Sequence, residues 1–354
     1  MQDKTNTLLA IETRLPPYHY SNDEVVEVVK RWLSSQDEDF VKKAVRIFKG
    51  SGITKRHSIA PIEVLFSKRT LKESNELYMK EAIKMGELAL KGALEKACLQ
   101  PEDIDILITT SCTGFMIPSF DAYIVNKLNM KPEIKRIPIT EIGCAAGVSA
   151  WILAHDFIKA YPASKVAVIS LEFPSNTIQV NDYSWENIVS TAIFADGVSC
   201  SIWGNSDQPG LKVQDTQMYH VKNTTSVIGY DLHDSGFVMR LQKEVTNVIA
   251  ENFKEIIIPF LKKNGLNITE VDKYLVHPGG IKIIDMIELL MSEIKKDVKE
   301  SREIMQTYGN LSSATIGFIL KHYLETKTSS HDQVLALGFG PGFMAHSILL
   351  KEVT

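Results

Sequence analysis

Residues 99–108 read Leu-Gln-Pro-Glu-Asp-Ile-Asp-Ile-Leu-Ile, and residues 266–275 read Leu-Asn-Ile-Thr-Glu-Val-Asp-Lys-Tyr-Leu. Each stretch ends a helical pattern, makes a turn and enters a strand, with the same gap from the leucine to the later aspartate. One explanation is coincidence, because turn chemistry alone repeats such patterns. The other is a duplicated chain whose two halves meet at a pseudo-two-fold axis. Duplication predicts a site built at strand ends from residues of both halves.

Helix and strand patterns alternate on both sides of these stretches. A capping box at Ser21–Glu24 predicts a helix that continues to Leu33, and a second helical pattern covers about residues 71–98. Buried strands are predicted at residues 104–110, 165–170 and 333–337. Strands separated by helices indicate an α/β fold with helix-covered sheets.

Length and composition limit the class of protein. A chain of 354 residues exceeds one ordinary hydrophobic core, so two domains or two fused halves are expected. The net charge of -4 and the lack of a long basic tract argue against nucleic acid as a partner. The first residues do not form a signal segment and no apolar run approaches a membrane span, so we expect no membrane association.

The four cysteines are scattered without CxxC spacing: Cys98, Cys112, Cys144 and Cys200. This spacing argues against a zinc site or a disulfide framework and favours the reducing cytoplasm.

Cys144 lies in Thr140-Glu-Ile-Gly-Cys-Ala-Ala-Gly147, where an apolar strand (134–139) turns into a helix. Gly143 and the small residues that follow would let a substrate approach the sulfur. A thiol at a helix N-terminus is favoured as thiolate by the helix dipole. The alternative is an inert buried cysteine, which is the commoner fate of a free cysteine.

Two further residues stand at the ends of predicted elements. His277 ends a strand and precedes Pro-Gly-Gly, where a histidine is accessible to a ligand and can pair with a thiol. Asn310, in Tyr308-Gly-Asn-Leu-Ser-Ser313, precedes an apolar helix, where asparagine is also an ordinary N-cap. A Gly/Pro loop, Gly338-Phe-Gly-Pro-Gly342, follows the last predicted strand and is either ligand-binding or a rigid turn.

Together, Cys144, His277 and Asn310 suit thioester condensation. The thiolate takes an acyl group, and neutral donors stabilise the enolate formed when a malonyl thioester loses CO₂. Papain-like hydrolases also combine Cys, His and Asn, but their local cysteine signature is absent here.

These ordered motifs resemble those of the thiolase-fold condensing enzymes, and most of all the bacterial branch of the type III (chalcone/stilbene synthase-like) polyketide synthases. The resemblance implies a homodimer of αβαβα-layered subunits without a bound cofactor. It implies two thiolase-like halves, residues 1–205 with the nucleophile and residues 206–354 with His277 and Asn310. Cys144 would carry the acyl group, while His277 would assist thiolate formation and, with Asn310, decarboxylate malonyl-CoA.

The resemblance also implies residues for substrate binding. Phe194 and Met239 match the two gatekeepers between cavity and CoA tunnel, with Met239 departing from the plant phenylalanine; core packing is the alternative for both. The other expected cavity residues are Cys112, Thr177, Ser312, Gly338 and Phe339. Cys112 matches a cavity cysteine of the bacterial tetrahydroxynaphthalene synthases, or is a buried apolar cysteine.

Two further sites follow from the same resemblance. Lys43 and Arg46 resemble a basic pair that meets the CoA phosphates, or form a solvated helix face. Met116 or Ile117 is expected to reach the cavity of a partner subunit.

The expected function is therefore that of a cytoplasmic acyltransferase that condenses a CoA-linked starter with malonyl-CoA and cyclises the product to a pyrone or phenol. The rivals are a ketoacyl synthase III-like enzyme for a single condensation, a thiol hydrolase, and a non-catalytic acyl-binding protein.

Overall fold

The structure is a computed structural model that describes residues 5–329 and 331–353. In these residues the strands are β1 (Thr5–Arg14), β2 (Tyr18–Ser21), β3 (Lys55–Ser58), β4 (Ile106–Thr110), β5 (Lys135–Ile139), β6 (Val166–Glu172), β7 (Gly197–Ser206), β8 (Gly210–His220), β9 (Ile228–His233), β10 (Gly236–Leu241), β11 (Lys273–Val276), β12 (Gln333–Gly340) and β13 (Met344–Val353).

The helices are α1 (Asn22–Trp32), α2 (Glu38–Gly50), α3 (Ile62–Leu65), α4 (Leu71–Ala97), α5 (Phe120–Lys127), α6 (Ala146–Ala160), α7 (Trp185–Ile193), α8 (Val245–Lys263), α9 (Ile281–Ser292), α10 (Lys299–Tyr308) and α11 (Thr315–Thr326). Two short 3₁₀ helices matter below. The cysteine turn (Gly143–Ala145) precedes α6, and the serine turn (Ser312–Ala314) precedes α11.

The helices and strands predicted from local sequence patterns are present in the structure. The capping box of α1 is confirmed, since the Glu24 N–H donates to Ser21 Oγ at 3.3 Å and the Ser21 N–H donates to Glu24 Oε2 at 2.7 Å. The second helix and the three buried strands are confirmed as α4, β4, β6 and β12. β4 begins at Ile106, two residues later than predicted, because a 3₁₀ turn occupies Pro101–Asp103.

Nine strands form one mixed sheet in the order β11-β12-β13-β8-β1-β7-β6-β4-β5. The order is symmetrical about the β8–β1 contact, because β1, β7, β6 and β4 on one side correspond to β8, β13, β12 and β11 on the other. Each half also places one helix, α6 or α11, directly before its penultimate strand, β6 or β12. This symmetry is the arrangement that a duplicated chain produces.

The two halves of the sheet enclose α6 and α11. Alternate residues of β6 show this, because Val166 and Val168 join the central core with α6 and α11, whereas Ala167 and Ile169 pack against α4. In β12, Val334 faces the central core, and its neighbour Leu335 packs with α8 residues. Strands buried on both faces explain the continuous apolar runs. The result is a five-layered αβαβα fold.

The repeated pattern occupies equivalent places in the halves. Each copy follows a long helix, α4 or α8, and leads into β4 or β11. The turns are capped alike, because the Gln100 N–H donates to Asp103 Oδ2 at 2.8 Å and the Asn267 N–H donates to Glu270 Oε2 at 2.6 Å. These positions favour duplication over coincidence. The domain boundary at residues 205/206 lies at the end of β7 and stays a prediction.

Within the described residues, no helix combines the length and the apolar character that crossing a membrane requires.

Candidate active site

Cys144 lies in the cysteine turn at the N-terminal end of α6. Gly143 has φ +61°, and a Cβ on it would come 2.7 Å from Cδ of Pro341, so the turn requires glycine. The thiol lies 3.4 Å from Ser312 Oγ. Burial raises the pKa of Cys144 to about 12, and the Ser312 hydroxyl only partly opposes this.

His277 follows β11, and its N–H donates to the Leu337 carbonyl at 2.8 Å, which continues the pairing of β11 with β12. The side chain is only 2 % exposed, and neither ring nitrogen has a hydrogen-bond partner in the described residues. Burial lowers the pKa of His277 to about 4, so the imidazole is neutral at neutral pH.

Asn310 does not cap α11, whose N-cap is Ala314. Its Nδ2 donates to the Gly279 carbonyl at 2.7 Å, and its Oδ1 accepts the N–H of Ser312 at 2.8 Å. These two bonds orient the carboxamide and leave one N–H of Nδ2 for a ligand.

The structure brings Cys144, His277 and Asn310 to one cavity of about 560 Å³. Cys144 also lines a second cavity of about 330 Å³, with Cys112 and Ser312. Phe194, Ile228 and Met239 line both. Cys144 therefore lies where a larger and a smaller cavity meet.

Two sequence families match the chain. The family described as "FAE1/Type III polyketide synthase-like protein" matches residues 15–258, and "Chalcone and stilbene synthases, C-terminal domain" matches residues 212–354. The chain belongs to the type III polyketide synthase family.

Individual relatives agree over almost the whole chain. A phloroglucinol synthase of Pseudomonas fluorescens is 30% identical, over 96% of this chain and 97% of that protein. A putative chalcone synthase of Bacillus subtilis is 28% identical, over 97% and 98%. The crystal structure of 1,3,6,8-tetrahydroxynaphthalene synthase from Streptomyces coelicolor superposes with a TM-score of 0.92 at 28% identity, covering 98% of this chain and 99% of that one. This type III polyketide synthase is thus an acyltransferase with the thiolase fold.

The predicted gatekeepers of this type III polyketide synthase lie at the junction of the cavities, since Phe194 and Met239 line both. Phe339 lines the larger cavity. Gly338 instead lies beneath the cysteine turn, because a Cβ there would come 3.3 Å from Cα of Ala145. Glycine at this position lets β12 pack closely against the turn, and the expectation that Gly338 binds substrate stays a prediction.

Thr177 lines neither of the two large cavities. Its hydroxyl donates to the Pro174 carbonyl at 2.9 Å, and it also hydrogen-bonds Tyr230, whose side chain lines the smaller cavity. Thr177 therefore contacts a residue of the smaller cavity's wall, and its expected role in the cavity stays a prediction.

The two predicted CoA-binding residues lie in different surroundings. Arg46 lines the larger cavity, whereas Lys43 does not and places its Nζ 4.0 Å from the ring centroid of Trp185. Trp185 itself lines the cavity, so Lys43 contacts a residue of the cavity wall. Two other cations, Lys243 and Lys282, line the same cavity, although the sequence motifs did not indicate them.

Glu172 was likewise not among the site residues predicted from the sequence. It ends the otherwise apolar strand β6 and is buried beside Cys112. A charged residue at the carboxyl end of a buried strand is a signal that the sequence offered. Lys243, Lys282 and Tyr230 carried no comparable signal, because each lies in an ordinary polar or amphipathic stretch.

Proposed function

We propose that this type III polyketide synthase loads a CoA-linked acyl starter on Cys144, extends it with malonyl-CoA by decarboxylative Claisen condensation, and cyclises the product. The observation that carries the proposal is the convergence of Cys144, His277 and Asn310 on one cavity, with Cys144 also open to a second. One sulfur can then meet a CoA thioester on one side and hold a growing chain on the other.

The neutral state of His277 suits decarboxylation. When a malonyl thioester loses CO₂, negative charge develops on the thioester oxygen, and N–H donors stabilise it. His277 has both ring nitrogens free, and Asn310 has an N–H to spare. As a neutral donor, His277 would also stabilise the thiolate of Cys144 before acylation.

The side chains that line the two cavities differ in charge, which suits the cavities to different roles. The larger cavity carries the cations Arg46, Lys243 and Lys282, which suit the phosphates of CoA. The smaller cavity is lined by apolar and aromatic side chains with few charges, among them Phe115, Tyr230, Leu232 and Phe237. It would hold the extending chain and limit its length by its volume of about 330 Å³.

We further infer a homodimer that acts on CoA thioesters without a bound cofactor in the cytoplasm. Phe115 lines the smaller cavity yet is 55% exposed, and Ile117 is 83% exposed, whereas Met116 is buried. Ile117 is therefore the residue that would reach a partner subunit. All four cysteines are free, which suits a reducing compartment.

The test combines a substrate panel with one variant. Wild-type enzyme is incubated with malonyl-CoA alone and with short, aromatic and long-chain acyl-CoAs, and products are identified by mass spectrometry. We expect pyrones or phenols of several ketide units. Cys144→Ala should lose the acyl-enzyme and the product but retain CO₂ release from malonyl-CoA, because His277 and Asn310 are intact. Cys98→Ala, which changes an exposed cysteine, is the matched control and should behave as wild type.

Other results would replace the proposal. A single 3-ketoacyl product would identify a ketoacyl synthase III-like enzyme, and free acid without a new carbon–carbon bond would identify a hydrolase. Full-length product from Cys144→Ala would show that another residue carries the chain.

A further inference from the structure

Trp185 differs from the other three tryptophans of the chain in the surroundings of its indole. Trp151 and Trp203 are buried in the central core, and both indole N–H groups donate to Ser201 Oγ, at 3.0 Å and 2.8 Å. Trp32 donates to a backbone carbonyl at 2.7 Å. Trp185 is half-buried and lines the larger cavity, and its indole N–H has no hydrogen-bond partner in the described residues. An indole placed in this way is available to a ligand.

Two side chains of α2 cover one side of the Trp185 ring. The ring centroid of Phe40 lies 4.7 Å from that of Trp185, and Lys43 Nζ lies 4.0 Å from the same centroid. Phe40 and Lys43 are three residues apart in one helix, so they approach the indole from the same side. Helix α2 therefore fixes the ring, and the part of the indole that α2 does not cover lines the larger cavity.

The charges beside Trp185 are mostly positive, with one exception. Arg46, Lys243 and Lys282 line the same cavity, and none of them forms an ion pair within the described residues. Glu186, the neighbour of Trp185 in α7, is the only acid among the described residues that line this cavity. A carboxylate close to bound phosphates would weaken their binding. Glu186 therefore suits a part of the ligand that donates hydrogen bonds.

We propose that Trp185 stacks on the adenine base of CoA thioesters and that Glu186 accepts a hydrogen bond from the amino group of that base. This inference rests on the proposed function, in which the larger cavity binds CoA. Adenine presents a flat π face and one exocyclic amino donor, and an indole with a carboxylate beside it matches both.

The position of Lys43 also fits an adenine site. Its ammonium group lies over the indole and attracts the electrons of that ring, which favours stacking of an electron-rich purine on the open face. Arg46 follows Lys43 by three residues in α2 and lines the cavity, so it would meet the phosphates of the same CoA molecule. Lys43 thus contributes to CoA binding by supporting the ring, whereas Arg46 does so by its charge.

The first test compares malonyl-CoA with malonyl-N-acetylcysteamine, a thioester that carries no nucleotide. Trp185→Ala should raise the KM for malonyl-CoA about tenfold or more, because the base loses its stacking partner. Its kcat/KM for malonyl-N-acetylcysteamine should stay within about twofold of wild type, which also shows that the variant is folded. Trp185→Phe keeps an aromatic face and should raise the KM for malonyl-CoA by no more than about threefold.

The second test measures binding without turnover, by tryptophan fluorescence. Stacked adenine quenches an indole, so CoA should quench the fluorescence of the wild-type enzyme, and pantetheine, which lacks the base, should not. Trp185→Phe should still bind CoA in isothermal titration calorimetry. The quenching should nevertheless disappear in this variant, because none of the other tryptophans lines the larger cavity.

Two further variants separate the base from the phosphates. Glu186→Ala should raise the KM for malonyl-CoA about threefold, since a hydrogen bond to the amino group is lost. A carboxylate that only repels the phosphates predicts the opposite sign. The loss of CoA affinity in Arg46→Ala should shrink as salt rises from about 0.05 M to about 0.3 M, whereas the loss in Trp185→Ala should not.

Failure of the adenine site can be told apart from failure of the proposed function. Suppose that Trp185→Ala impairs both thioesters equally or leaves the KM for malonyl-CoA unchanged, or that bound CoA does not quench the wild-type fluorescence. The adenine site is then wrong, while the enzyme can still condense malonyl-CoA. A lower KM in Glu186→Ala would remove Glu186 from the site. If the wild-type enzyme neither binds CoA nor consumes malonyl-CoA, the proposed function itself fails.

Discussion

The cysteine turn (Gly143–Ala145) and the serine turn (Ser312–Ala314) occupy equivalent positions in the two halves, yet only the first presents a thiol to the cavities. Each is a 3₁₀ helix that begins with a residue of positive φ, +61° at Gly143 and +49° at Ser312. The second residue is Cys144 in one and Ser313 in the other. Cys144 lines both cavities, whereas Ser313 is fully buried and donates to Glu172. The same backbone turn therefore exposes its second side chain to the cavities in one half and buries it in the other.

The first residues of the turns differ in a second way. Gly143 adopts positive φ without cost, but Ser312 pays about 1 kcal/mol for the same region. Its hydroxyl is the group that lies 3.4 Å from the Cys144 sulfur. An unfavourable backbone conformation kept beside the proposed nucleophile indicates that the position of the hydroxyl is important to the site.

Moving the thiol from the cysteine turn to the serine turn should have the largest effect on product formation. Cys144→Ser makes the second residues alike and should lower product formation at least about 10³-fold, because a serine hydroxyl is not ionised and no base contacts it. Adding Ser313→Cys places a thiol at the equivalent position, but activity should not return because that side chain faces Glu172. Product assays of the single and double variants decide this. Recovery in the double variant would mean that the two turns are chemically interchangeable.

The next largest effect, on the free energy of unfolding, is expected where α6 contacts the serine turn. Gly147 of α6 lies against the serine turn, and a Cβ there would overlap the Ser313 carbonyl and come 2.7 Å from Cγ2 of Ile316. Gly147→Ala should therefore lower the free energy of unfolding by about 3 kcal/mol in denaturant titrations.

Gly86→Ala in α4 is the matched control for that substitution. Its Cβ would come 2.8 Å from the flexible end of Ile124 and 3.4 Å from the Phe120 ring, and the gain in helix propensity of about 1 kcal/mol offsets the contact. Equal losses for both variants would show that the contact between the halves is not special.

The smallest effect on the free energy of unfolding is expected when the first residue of the serine turn is changed to glycine, as in the cysteine turn. Ser312→Gly relieves the positive φ but adds backbone entropy to the unfolded state, so the free energy of unfolding should rise by about 0.5 kcal/mol. Ser313→Gly is the control, and it should lower that free energy by about 2 kcal/mol because Glu172 loses a buried donor. Chemical denaturation measures both. A loss of stability in Ser312→Gly would contradict strain at this residue.

Much of the fold followed from local sequence. Capping at Ser21 and the nearly continuous apolar run of β6 act over a few residues, so they can be recognised without the rest of the chain. The repeated helix–turn–strand pattern indicated duplication for the same reason. The motifs around Cys144, His277 and Asn310 also indicated the family, because each stands at an element end where a site requires special residues.

The remaining features depended on residues far apart in the chain. Lys43 packs on the Trp185 ring and does not itself line the larger cavity, whereas Lys243, which precedes α8, and Lys282, in α9, do line it. The side chains that connect Cys144 to Glu172 by hydrogen bonds come from four segments, which meet only after the halves of the sheet close on α6 and α11. Local patterns specify helices, strands and turn chemistry, because those energies act between neighbours. Which side chains share a cavity, and how burial shifts their pKa values, is set by long-range packing that only the tertiary structure decides.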